Sequence, residues 1–458
     1  MKKTAFHVIK DPIHGSIQFT TQEDHWIKPF LDSENFQRLR HIKQLGLADW
    51  IFPGALHNRF THCLGCCYII SQICHKLDLS EQDRQLVMIA GLLHDIGHGP
   101  FSHSFEEIFE TGSIKHESWT PFFLDEYRQE SFIQSFNQKN HHHPLSPEAI
   151  DHIQQLIMHE PIGNNLLSDM VSSQLDADRL DYLLRDSHFC GVTYGTYDFR
   201  WLLHCLTPIQ YQQSIRLGIT YKGIGVTEQY LMARRLMMRN VYQNAKKHGA
   251  EFLLQQFLKQ VATAIHNDQL PTELSSNTLV QFLKALMTYH QEIQQTSHKK
   301  TLEHTFMQSH FHLYKQLCDY DIFALIRLMA NGSHDHLTAT KIASRLQRRQ
   351  LPKLMPVYET NLPVAKKKLE EFKQCHQGKI EPWQFGLIDL THLSYQAATD
   401  PILVEDISGN THLLQENSPM IDAISDKREN TYLVCIDQEA YDKFQGKQLF
   451  QMLQEIKG

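Results

Sequence analysis

The sequence predicts a mainly α-helical fold with small β elements and a mixed α/β region toward the C-terminus. Apolar residues at helical spacing dominate the first 260 positions, whereas short strand-like runs such as Tyr432–Ile436 alternate with helices after residue 351. At 458 residues and 53.5 kDa, the chain is long enough for two or three domains. We expect a core at 1–265 with an N-terminal arm of strands and turns at 1–30, a helical region at 266–350 and the mixed α/β region at 351–458.

The composition is that of an ordinary globular protein, and it argues against two classes of partner. Apolar residues make up 41% and charged residues 21% of the chain, and the net charge is −7 with histidine neutral. A net acidic chain has no overall positive field that would attract nucleic acid or anionic lipid. No apolar run approaches the length of about twenty residues that a membrane helix needs, and the N-terminus lacks the apolar segment of a secretion signal. We therefore expect a cytoplasmic protein that does not associate with membranes.

The nine cysteines do not form the pattern of a disulfide-stabilised secreted scaffold. Cys63, Cys66 and Cys67 are close together, but no second pair stands at the spacing of a zinc ribbon. We interpret these three as small buried residues on a helix, with a zinc or redox role as the alternative.

The N-terminal part is predicted as two short strands followed by two helices. The strand-like pieces are Phe6–Ile9 and Ser16–Thr20, and the helices are Asp32–Leu47 and 57–77. On the second helix Arg59 and His62 lie three residues apart, so that they share one face.

The chain is organised around Gln85–Glu106, which begins as an apolar run and ends in a polar cluster. A helix capped by Ser80 is expected to bury Leu86–Leu93 and to carry His94 and Asp95 at the edge of the core. Gly97, Gly99 and Pro100 then interrupt the helical pattern, which predicts that His98 and His103 lie on a turn lining the same cavity. The alternative is that these are core histidines bonded to backbone carbonyls.

The following elements are mostly helical. Helices are predicted at Ser118–Tyr127, Pro147–His159, Ser168–Asp186 and Thr227–Leu254 and in succession across 275–345, with a strand at Ile215–Thr220. The polar stretch Gln134–Ser146, which contains the triplet His141–His143, is predicted to be a loop and not a metal site.

Four polar residues from three predicted helices form a candidate metal site. His62, His94, Asp95 and Asp178 each lie beside apolar residues that would turn them inward, and two imidazoles with two carboxylates suit manganese, magnesium, iron, nickel or zinc. Such an ion polarises a phosphoryl oxygen and lowers the pKa of a bound water. Arg59 and Arg179 stand beside the ligands, and guanidinium groups match phosphate oxygens, although surface ion pairing is the alternative for each arginine.

These residues resemble the HD-domain phosphohydrolases. The stretches KQLGLADWIFPGALHNRFTHCLG (43–65), LLHDIGHGPFSHSFE (92–106) and QLDADRLDYLLRD (174–186) are similar to one branch, the deoxynucleoside triphosphate (dNTP) triphosphohydrolases. That branch includes a vertebrate antiviral enzyme and bacterial dGTPase-like proteins. The resemblance covers roughly residues 5–260 and implies an HD-domain helical core.

The resemblance implies a reaction and a site. The reaction is metal-dependent hydrolysis of a dNTP to a deoxynucleoside and inorganic triphosphate, with His62, His94, Asp95 and Asp178 as metal ligands. It implies that His116 is the general acid, that Glu106 orients it where the family more often has aspartate, and that His98 and His103 contact phosphate. The implied substrate-binding residues are Gln44, Leu45, Arg59, Arg179, Tyr182, Asp186, Arg234 and Tyr242. Arg179 stands where some members have lysine, and a tyrosine packed against the sugar would exclude a 2′-hydroxyl.

The resemblance also implies activation by GTP, dGTP or a dNTP and assembly into a homo-tetramer or homo-dimer. The implied activator site comprises Val8, Asp32, Gln37 and Arg40. His7 stands where the antiviral enzyme has a lysine, and Trp201 stands where the family has an arginine of a second activator site, which argues against binding at that second site. The C-terminal region at 351–458 is a candidate for oligomerisation or regulation.

Two rival readings stay open. The first is another HD-domain phosphohydrolase, either a 5′-nucleotidase or a phosphodiesterase, that shares only the metal ligands. The second is a nucleotide sensor without catalysis or a module that binds single-stranded nucleic acid in a basic groove at 234–247. The acidic net charge argues against this nucleic-acid role.

Overall fold

The computed structural model describes residues 7–19, 24–109, 114–332, 336–393 and 395–455. Helices account for most of these residues, which confirms the mainly α-helical fold class with small sheets. Among the described residues, none of the helices combines the length and the apolarity that a membrane crossing requires. The division into three regions stays a prediction.

The N-terminal part consists of a β-hairpin and eleven helices in the described residues. They are β1 His7–Asp11, β2 Gly15–Phe19, α1 Lys28–Leu31, α2 Glu34–Gln37, α3 Arg59–Leu77, α4 Glu81–Leu93, α5 His103–Glu106, α6 His116–Arg128, α7 Glu130–Lys139, α8 Pro147–Ile157, α9 Leu166–Val171, α10 Ala177–Cys190 and α11 Phe199–Cys205.

The middle part continues with a hairpin and six long helices. They are β3 Leu206–Tyr211, β4 Ser214–Thr220, α12 Ile224–Met237, α13 Ala245–His266, α14 Thr278–Gln295, α15 Lys299–Tyr314, α16 Asp319–Asn331 and α17 Thr338–Gln347.

The C-terminal part mixes short strands and helices. They are β5 Lys353–Tyr358, α18 Leu362–Cys375, β6 Phe385–Asp389, β7 His392–Leu393, β8 Leu403–Glu405, β9 Thr411–Leu413, α19 Leu414–Asn417, α20 Pro419–Ile424, β10 Arg428–Glu429, β11 Thr431–Ile436, α21 Gln438–Lys443 and α22 Gly446–Glu455.

The strands form four small sheets. The hairpin β1–β2 and the pair β10–β7 stand alone, β11 lies between β5 and β6, and the fourth sheet has the order β3-β4-β8-β9. In the last of these, β8 from the C-terminal part pairs in parallel with β4 through Ile219 and Val404. The C-terminal part therefore both packs on the main core and holds a second apolar cluster around β11, α18 and α22.

The core is centred on α3, which packs against α4 and α10. Thirteen of the nineteen residues of α3 are buried, and α4 buries every residue from Arg84 to Leu93. Each large apolar side chain removed from water contributes about 1.5–3 kcal/mol. Asn58 caps α3 and Ser80 caps α4, as their side chains accept the N–H groups of Thr61 and Asp83. Because α4 and α10 both pack against α3 through their buried faces, the polar residues near the ends of these helices face one another.

The predicted helix at Asp32–Leu47 is wrong, because the chain leaves the helix before Lys43. After α2 and a 3₁₀ turn at Arg38–His41, Ile42 is extended with φ −120° and ψ 114°. The N–H of Lys43 donates to Asp319 Oδ2 at 2.9 Å, and Asp319 Oδ1 accepts the N–H of Phe101 at 2.7 Å. One carboxylate from α16 therefore holds two loops together.

The predicted helices Ser168–Asp186 and Thr227–Leu254 are each interrupted. The first helix is interrupted between α9 and α10, and Asp176 is the N-cap at which α10 begins. The side chain of Asp176 accepts hydrogen bonds from the N–H groups of Ser173 and Arg179. The second helix passes into a π-helical turn at Met238–Tyr242, after which Asn244 caps α13. In both cases capping groups stop a helix that apolar spacing alone would continue.

The predicted loop at Gln134–Ser146 is wrong in its first part. Residues up to Lys139 belong to α7, which buries Ile133 and Phe136, and the loop begins at Asn140. An amphipathic helix with two inward apolar residues is easily missed in a polar stretch.

Replacing Asp319 with alanine should destabilise the fold. The change leaves the N–H groups of Lys43 and Phe101 buried without an acceptor, and each such group costs about 1–3 kcal/mol. We expect urea denaturation to show a loss of about 2–5 kcal/mol in unfolding free energy. Arg327→Ala, at an exposed position of the same helix, is the control and should change it by less than about 0.5 kcal/mol. An equal, small effect of both variants would contradict the role assigned to Asp319.

Candidate metal centre and substrate cavity

The structure brings the four predicted metal ligands to one point between α3, the end of α4 and the start of α10. His62 Nε2 lies 2.9 Å from Asp178 Oδ1 and 3.9 Å from Asp95 Oδ2. His94 Nε2 lies 3.5 Å from Asp95 Oδ1 and 3.7 Å from Asp178 Oδ1. Ligand atoms that each stand about 2.1 Å from one ion are about 3 Å apart or slightly more, so these separations fit a shared divalent cation.

The nitrogen atoms of His94 fit a metal ligand. Its Nδ1–H donates to the carbonyl oxygen of Gly91 at 2.9 Å, which leaves the lone pair on Nε2. Nε2 is buried and has no hydrogen-bond partner among the described residues. A buried acceptor without a donor is costly unless a cation occupies its free side.

The other ligands carry the charge that a cation would balance. Burial opposes protonation of His62, but hydrogen bonds and charges from Asp178 and Asp181 outweigh it and raise the pKa of His62 to about 10. Burial raises the pKa of Asp178 in turn, yet the two histidines bring it below its ordinary value. The pocket therefore concentrates negative charge and attracts a positive one, either a proton or a metal ion.

A buried carboxylate that we did not predict orients His62. Asp181 Oδ2 accepts a hydrogen bond from His62 Nδ1 at 2.8 Å, so that Nε2 points toward Asp178. Asp181 also accepts hydrogen bonds from Arg185 and His14, and its side chain is fully buried. Its position three residues after Asp178 on one helix was a sequence signal for Asp181, whereas His14 lies 167 residues away and gave none.

The thiol of Cys66 lies beside this centre. Its Sγ is 3.6 Å from both ring nitrogens of His62, so it sits alongside the ring and not on the line of the Nε2 lone pair. Burial raises the pKa of Cys66 well above its ordinary value, and the carboxylates of Asp181 and Asp178 raise it further. As interpreted from the sequence, Cys63, Cys66 and Cys67 are buried on α3, and the described cysteines are free thiols.

Arg59 joins the metal centre to the neighbouring loop. Its Nη1 donates to Asp95, and Nε and Nη2 donate to Ser102 Oγ at 3.0 and 2.7 Å. Phe101 and Ser102 adopt positive φ values of 51° and 52°, which cost energy in residues with a side chain. The hydrogen bond from the N–H of Phe101 to Asp319 helps to hold this strained turn against Arg59.

Across the cavity, His116 and His98 form a stacked pair of imidazoles. Their ring centroids are 3.6 Å apart with planes at 14°. His116 Nδ1 is 2.8 Å from Glu106 Oε1 and Nε2 is 3.4 Å from Glu117 Oε1, while His98 Nε2 is 3.2 Å from Asp95 Oδ1. Burial, followed by the charges of Arg59 and His116, holds the pKa of His98 well below its ordinary value. His98 is therefore neutral near pH 7; the side chain of His103 lies outside the described structure.

A cavity of about 620 Å³ opens from the metal centre and collects most of the predicted substrate residues. Those among the predicted set are Gln44, Leu45, Arg59, Tyr182, Asp186 and Tyr242, and Asp95, His98, His116 and Asp178 also line it. Arg179 and Arg234, which were also predicted to bind substrate, are not part of this lining. Arg234 Nη1 donates to Gln174 Oε1 at 2.7 Å, and Arg179 Nε is 3.7 Å from Asp176. The buried Nη1 of Arg179 has no hydrogen-bond partner among the described residues.

The end of the cavity away from the metal centre contains a carboxylate held from two sides. Asp186 accepts hydrogen bonds from Tyr242 OH and His57 Nε2, both at 2.7 Å. His57, which we did not predict, is buried and stacks on Phe189. Beside it, Gln44 Oε1 is buried and has no donor among the described residues, so it can accept one from a bound molecule.

The predicted activator residues line a separate cavity of about 360 Å³ between the hairpin and α3. Val8, Asp32, Gln37 and Arg40 all face it. Arg40 Nε donates to Gln37 Oε1 at 2.7 Å, and the guanidinium lies 3.5 Å from the ring centre of Phe60. The side chain of His7 lies outside the described structure, and Trp201 stacks on His204 elsewhere on the surface.

Comparisons with known proteins find an HD domain in the part of the chain that contains the candidate metal ligands. The HD domain profile matches residues 59–185, which contain all four candidate ligands. An uncharacterized protein of Methanocaldococcus jannaschii is 33% identical over 289 residues, covering 62% of this chain and 56% of that protein. YwfO of Bacillus subtilis, also uncharacterized, is 33% identical over 266 residues, covering 57% of each chain. The deoxynucleoside triphosphate triphosphohydrolase SAMHD1 of Homo sapiens is 30% identical over 320 residues, covering 60% of this chain and 50% of that protein.

Two solved structures share the fold along nearly the whole chain. A phosphohydrolase from Bacteroides thetaiotaomicron superposes with a TM-score of 0.73 at 26% identity, covering 95% of this chain and 100% of that one. A hypothetical protein from Aquifex aeolicus gives a TM-score of 0.71 at 24% identity, covering 97% and 100%. The chain spans only about half to three-fifths of the length of the curated relatives it matches. Residues 59–185 therefore carry an HD domain, and the proteins to which the chain is similar include a phosphohydrolase and a dNTP triphosphohydrolase.

Proposed function

We propose that this protein is a metal-dependent dNTP triphosphohydrolase that releases a deoxynucleoside and inorganic triphosphate in the cytoplasm. The observation that carries the proposal is one continuous cavity. Asp95 and Asp178 of the candidate metal ligands, His116, and the Gln44, Tyr182, Asp186 and Tyr242 group all line it. His62 and Glu106 stand directly behind this lining, in contact with Asp178 and His116. Such a cavity can hold a phosphate chain at one end and a sugar at the other. The lining extends over more polar groups than one phosphate could contact, so the cavity suits a nucleotide better than a lone phosphate group.

The proposed metal ligands are His62, His94, Asp95 and Asp178. A mixed nitrogen and oxygen set suits Mn²⁺, Mg²⁺, Fe²⁺, Ni²⁺ or Zn²⁺, with manganese as our first choice for reconstitution. A bound divalent ion supplies charge neutralisation at the phosphate and a water of lowered pKa.

Two arginines are the proposed cationic contacts for the phosphates. Arg59 presents its guanidinium at the cavity surface, where the planar fork matches phosphate oxygens. Arg179, whose buried Nη1 has no hydrogen-bond partner among the described residues, is the proposed second phosphate contact. Neutral His98, and His103 by its place in the sequence, complete the proposed phosphate contacts.

His116 is the proposed general acid. Glu106 accepts the Nδ1–H of His116 at 2.8 Å and fixes the orientation of the imidazole. The opposite nitrogen, Nε2, is then the atom that carries a proton to the leaving 5′ oxygen. Glu106 Oε1 also accepts the backbone N–H of His116 at 3.3 Å, which holds the carboxylate in place beside the ring.

The sugar end favours a 2′-deoxyribose. Tyr182 and Tyr242 meet edge to face with ring centroids 5.9 Å apart, and Tyr242 is tied to Asp186. Burial raises the pKa of Tyr242 well above its ordinary value, so its hydroxyl remains a neutral donor. A ribose hydroxyl placed against these rings would lack a hydrogen-bond partner, and an unpaired buried hydroxyl is costly. Leu45 and Arg234 complete the proposed sugar pocket.

The cavity beside the hairpin is the proposed site of a nucleotide activator. Asp32, Gln37 and Arg40 offer acceptor and donor groups that suit a guanine edge, and Val8 adds a backbone contact. We propose that GTP, dGTP or a dNTP binds there and favours assembly into a tetramer or dimer, with the C-terminal part contributing contacts between subunits.

Replacing His116, or both His94 and Asp95, with alanine should abolish triphosphate release. Loss of a general acid typically reduces the rate about 10²–10⁴-fold, and loss of two ligands should remove the metal. The measurement is ion chromatography of the products from each dNTP with manganese-loaded protein. His141→Ala, an exposed histidine, is the control. Undiminished triphosphate release by either variant would exclude this mechanism, and orthophosphate or a nucleoside monophosphate as product would favour a 5′-nucleotidase or a phosphodiesterase.

Metal binding should weaken as the pH falls. With the pKa of His62 raised to about 10 in the metal-free protein, an ion must displace a proton from Nε2 at neutral pH. We expect the apparent affinity for Mn²⁺ to fall about tenfold for each pH unit between pH 9 and pH 7. Isothermal titration calorimetry in buffers of different ionisation enthalpy also counts the proton released. An affinity independent of pH, with no proton release, would contradict the displacement of a proton from His62.

Added GTP or dGTP should raise the rate of hydrolysis of a second dNTP. Arg40→Ala should lose most of this activation but retain the basal rate, because Arg40 lines the cavity beside the hairpin and not the cavity at the metal centre. Arg348→Ala, an exposed arginine outside the cavity, should behave as the unmodified protein. Equal rates with and without the nucleotide at all concentrations would rule out an activator site, and a chain that binds nucleotides without turnover would be a sensor.

A further inference from the structure

The turn of the N-terminal hairpin is locked to the inside of the protein. Asp11 Oδ1 accepts the N–H groups of Ile13 and His14, both at 2.9 Å, which fixes the backbone of the turn. Asp11 Oδ2 accepts Nη1 of Arg185 at 2.8 Å. The aspartate therefore shapes the turn with one oxygen and anchors it to α10 with the other.

The same turn delivers an imidazole to Asp181. His14 Nε2 is 2.6 Å from Asp181 Oδ1, and a carboxylate only accepts, so this nitrogen is the donor. Arg185 donates to both oxygens of Asp181 at 2.7 and 2.9 Å. With His62, these groups give Asp181 four donors in a region where every side chain is at least 97% buried.

The carboxylate of Asp181 is closely enclosed by its neighbours. A Cβ at Gly65 on α3 would overlap Asp181 and Arg185, so that α3 and α10 meet at this point only because residue 65 has no side chain. Charge-assisted hydrogen bonds in a dry site are among the strongest in proteins. Removing one donor leaves part of a buried charge unpaired, and the carboxylate should then shift toward the remaining donors.

We infer that Asp11 and His14 of the hairpin are positioning residues for the metal ligand His62. They act through Asp181, whose second oxygen fixes the tautomer and direction of the His62 ring. This inference rests on the metal centre of the proposed function. It extends that centre to residues that precede the HD domain profile, which begins at residue 59.

The test measures metal affinity and not turnover. The full chain is stripped of metal, and binding of Mn²⁺ is followed by calorimetry and by electron paramagnetic resonance, which separates free from bound ion. His14→Ala should weaken binding about 10–100-fold, the typical effect of losing a group that orients a metal-binding histidine. His14→Gln should recover part of the loss, because its side-chain N–H can donate to Asp181. Gln18→Ala, an exposed position of β2, should bind as the unmodified chain does.

A second variant covers the case in which His14→Ala fails to fold. Asp11→Asn keeps an acceptor for the turn but removes the charge opposite Arg185, and it should weaken Mn²⁺ binding in a chain with an unchanged circular dichroism spectrum. Unchanged affinity in folded His14→Ala, or in Asp11→Asn, would overturn the inference. If the variants weaken Mn²⁺ binding but the unmodified chain hydrolyses no dNTP, the proposed function fails and the positioning role stands.

Discussion

One buried carboxylate, that of Asp181, determines where the imidazole of His62 points, and the geometry of the candidate metal centre depends on that imidazole. Asp181 lies between α3 and α10 with four donors around it and no contact with water. A charge in such a place is tolerable only when it is fully paired. The pairing in turn fixes the relative position of two helices and of the hairpin, because each contributes at least one donor.

Hydrogen bonds from side chains also hold several loops against the helical core. Asp319 joins the chain at Lys43 to the strained turn at Phe101 and Ser102, and that turn receives Arg59. The π-helical turn at Met238–Tyr242 places a tyrosine hydroxyl on Asp186, which His57 holds from the other side. Polar contacts between distant segments therefore shape the cavity, while apolar burial on α3 and α4 provides the frame.

The helical frame was predictable because apolar spacing and caps are local signals. α3, α4 and the positions of His62, His94, Asp95 and Asp178 follow from such signals and from three motifs. The breaks at Ile42, at Ser172–Asp176 and at Met238–Tyr242 were not predictable from spacing, since capping and contacts across the fold decide them. His14 and His57 were missed for a related reason: their partners, Asp181 and Asp186, lie more than a hundred residues away.

The matched HD domain, residues 59–185, does not include all the residues that would position the metal ligands and bind the substrate. A fragment cut to residues 59–185 would retain all four candidate ligands. It would lack His14, which helps to orient the metal ligand His62. It would also lack Gln44 and Tyr242, which line the cavity, and Asp319, which holds the loop against Arg59. The boundaries of an expressed fragment of this protein are therefore better drawn from its buried polar contacts than from the limits of the matched domain.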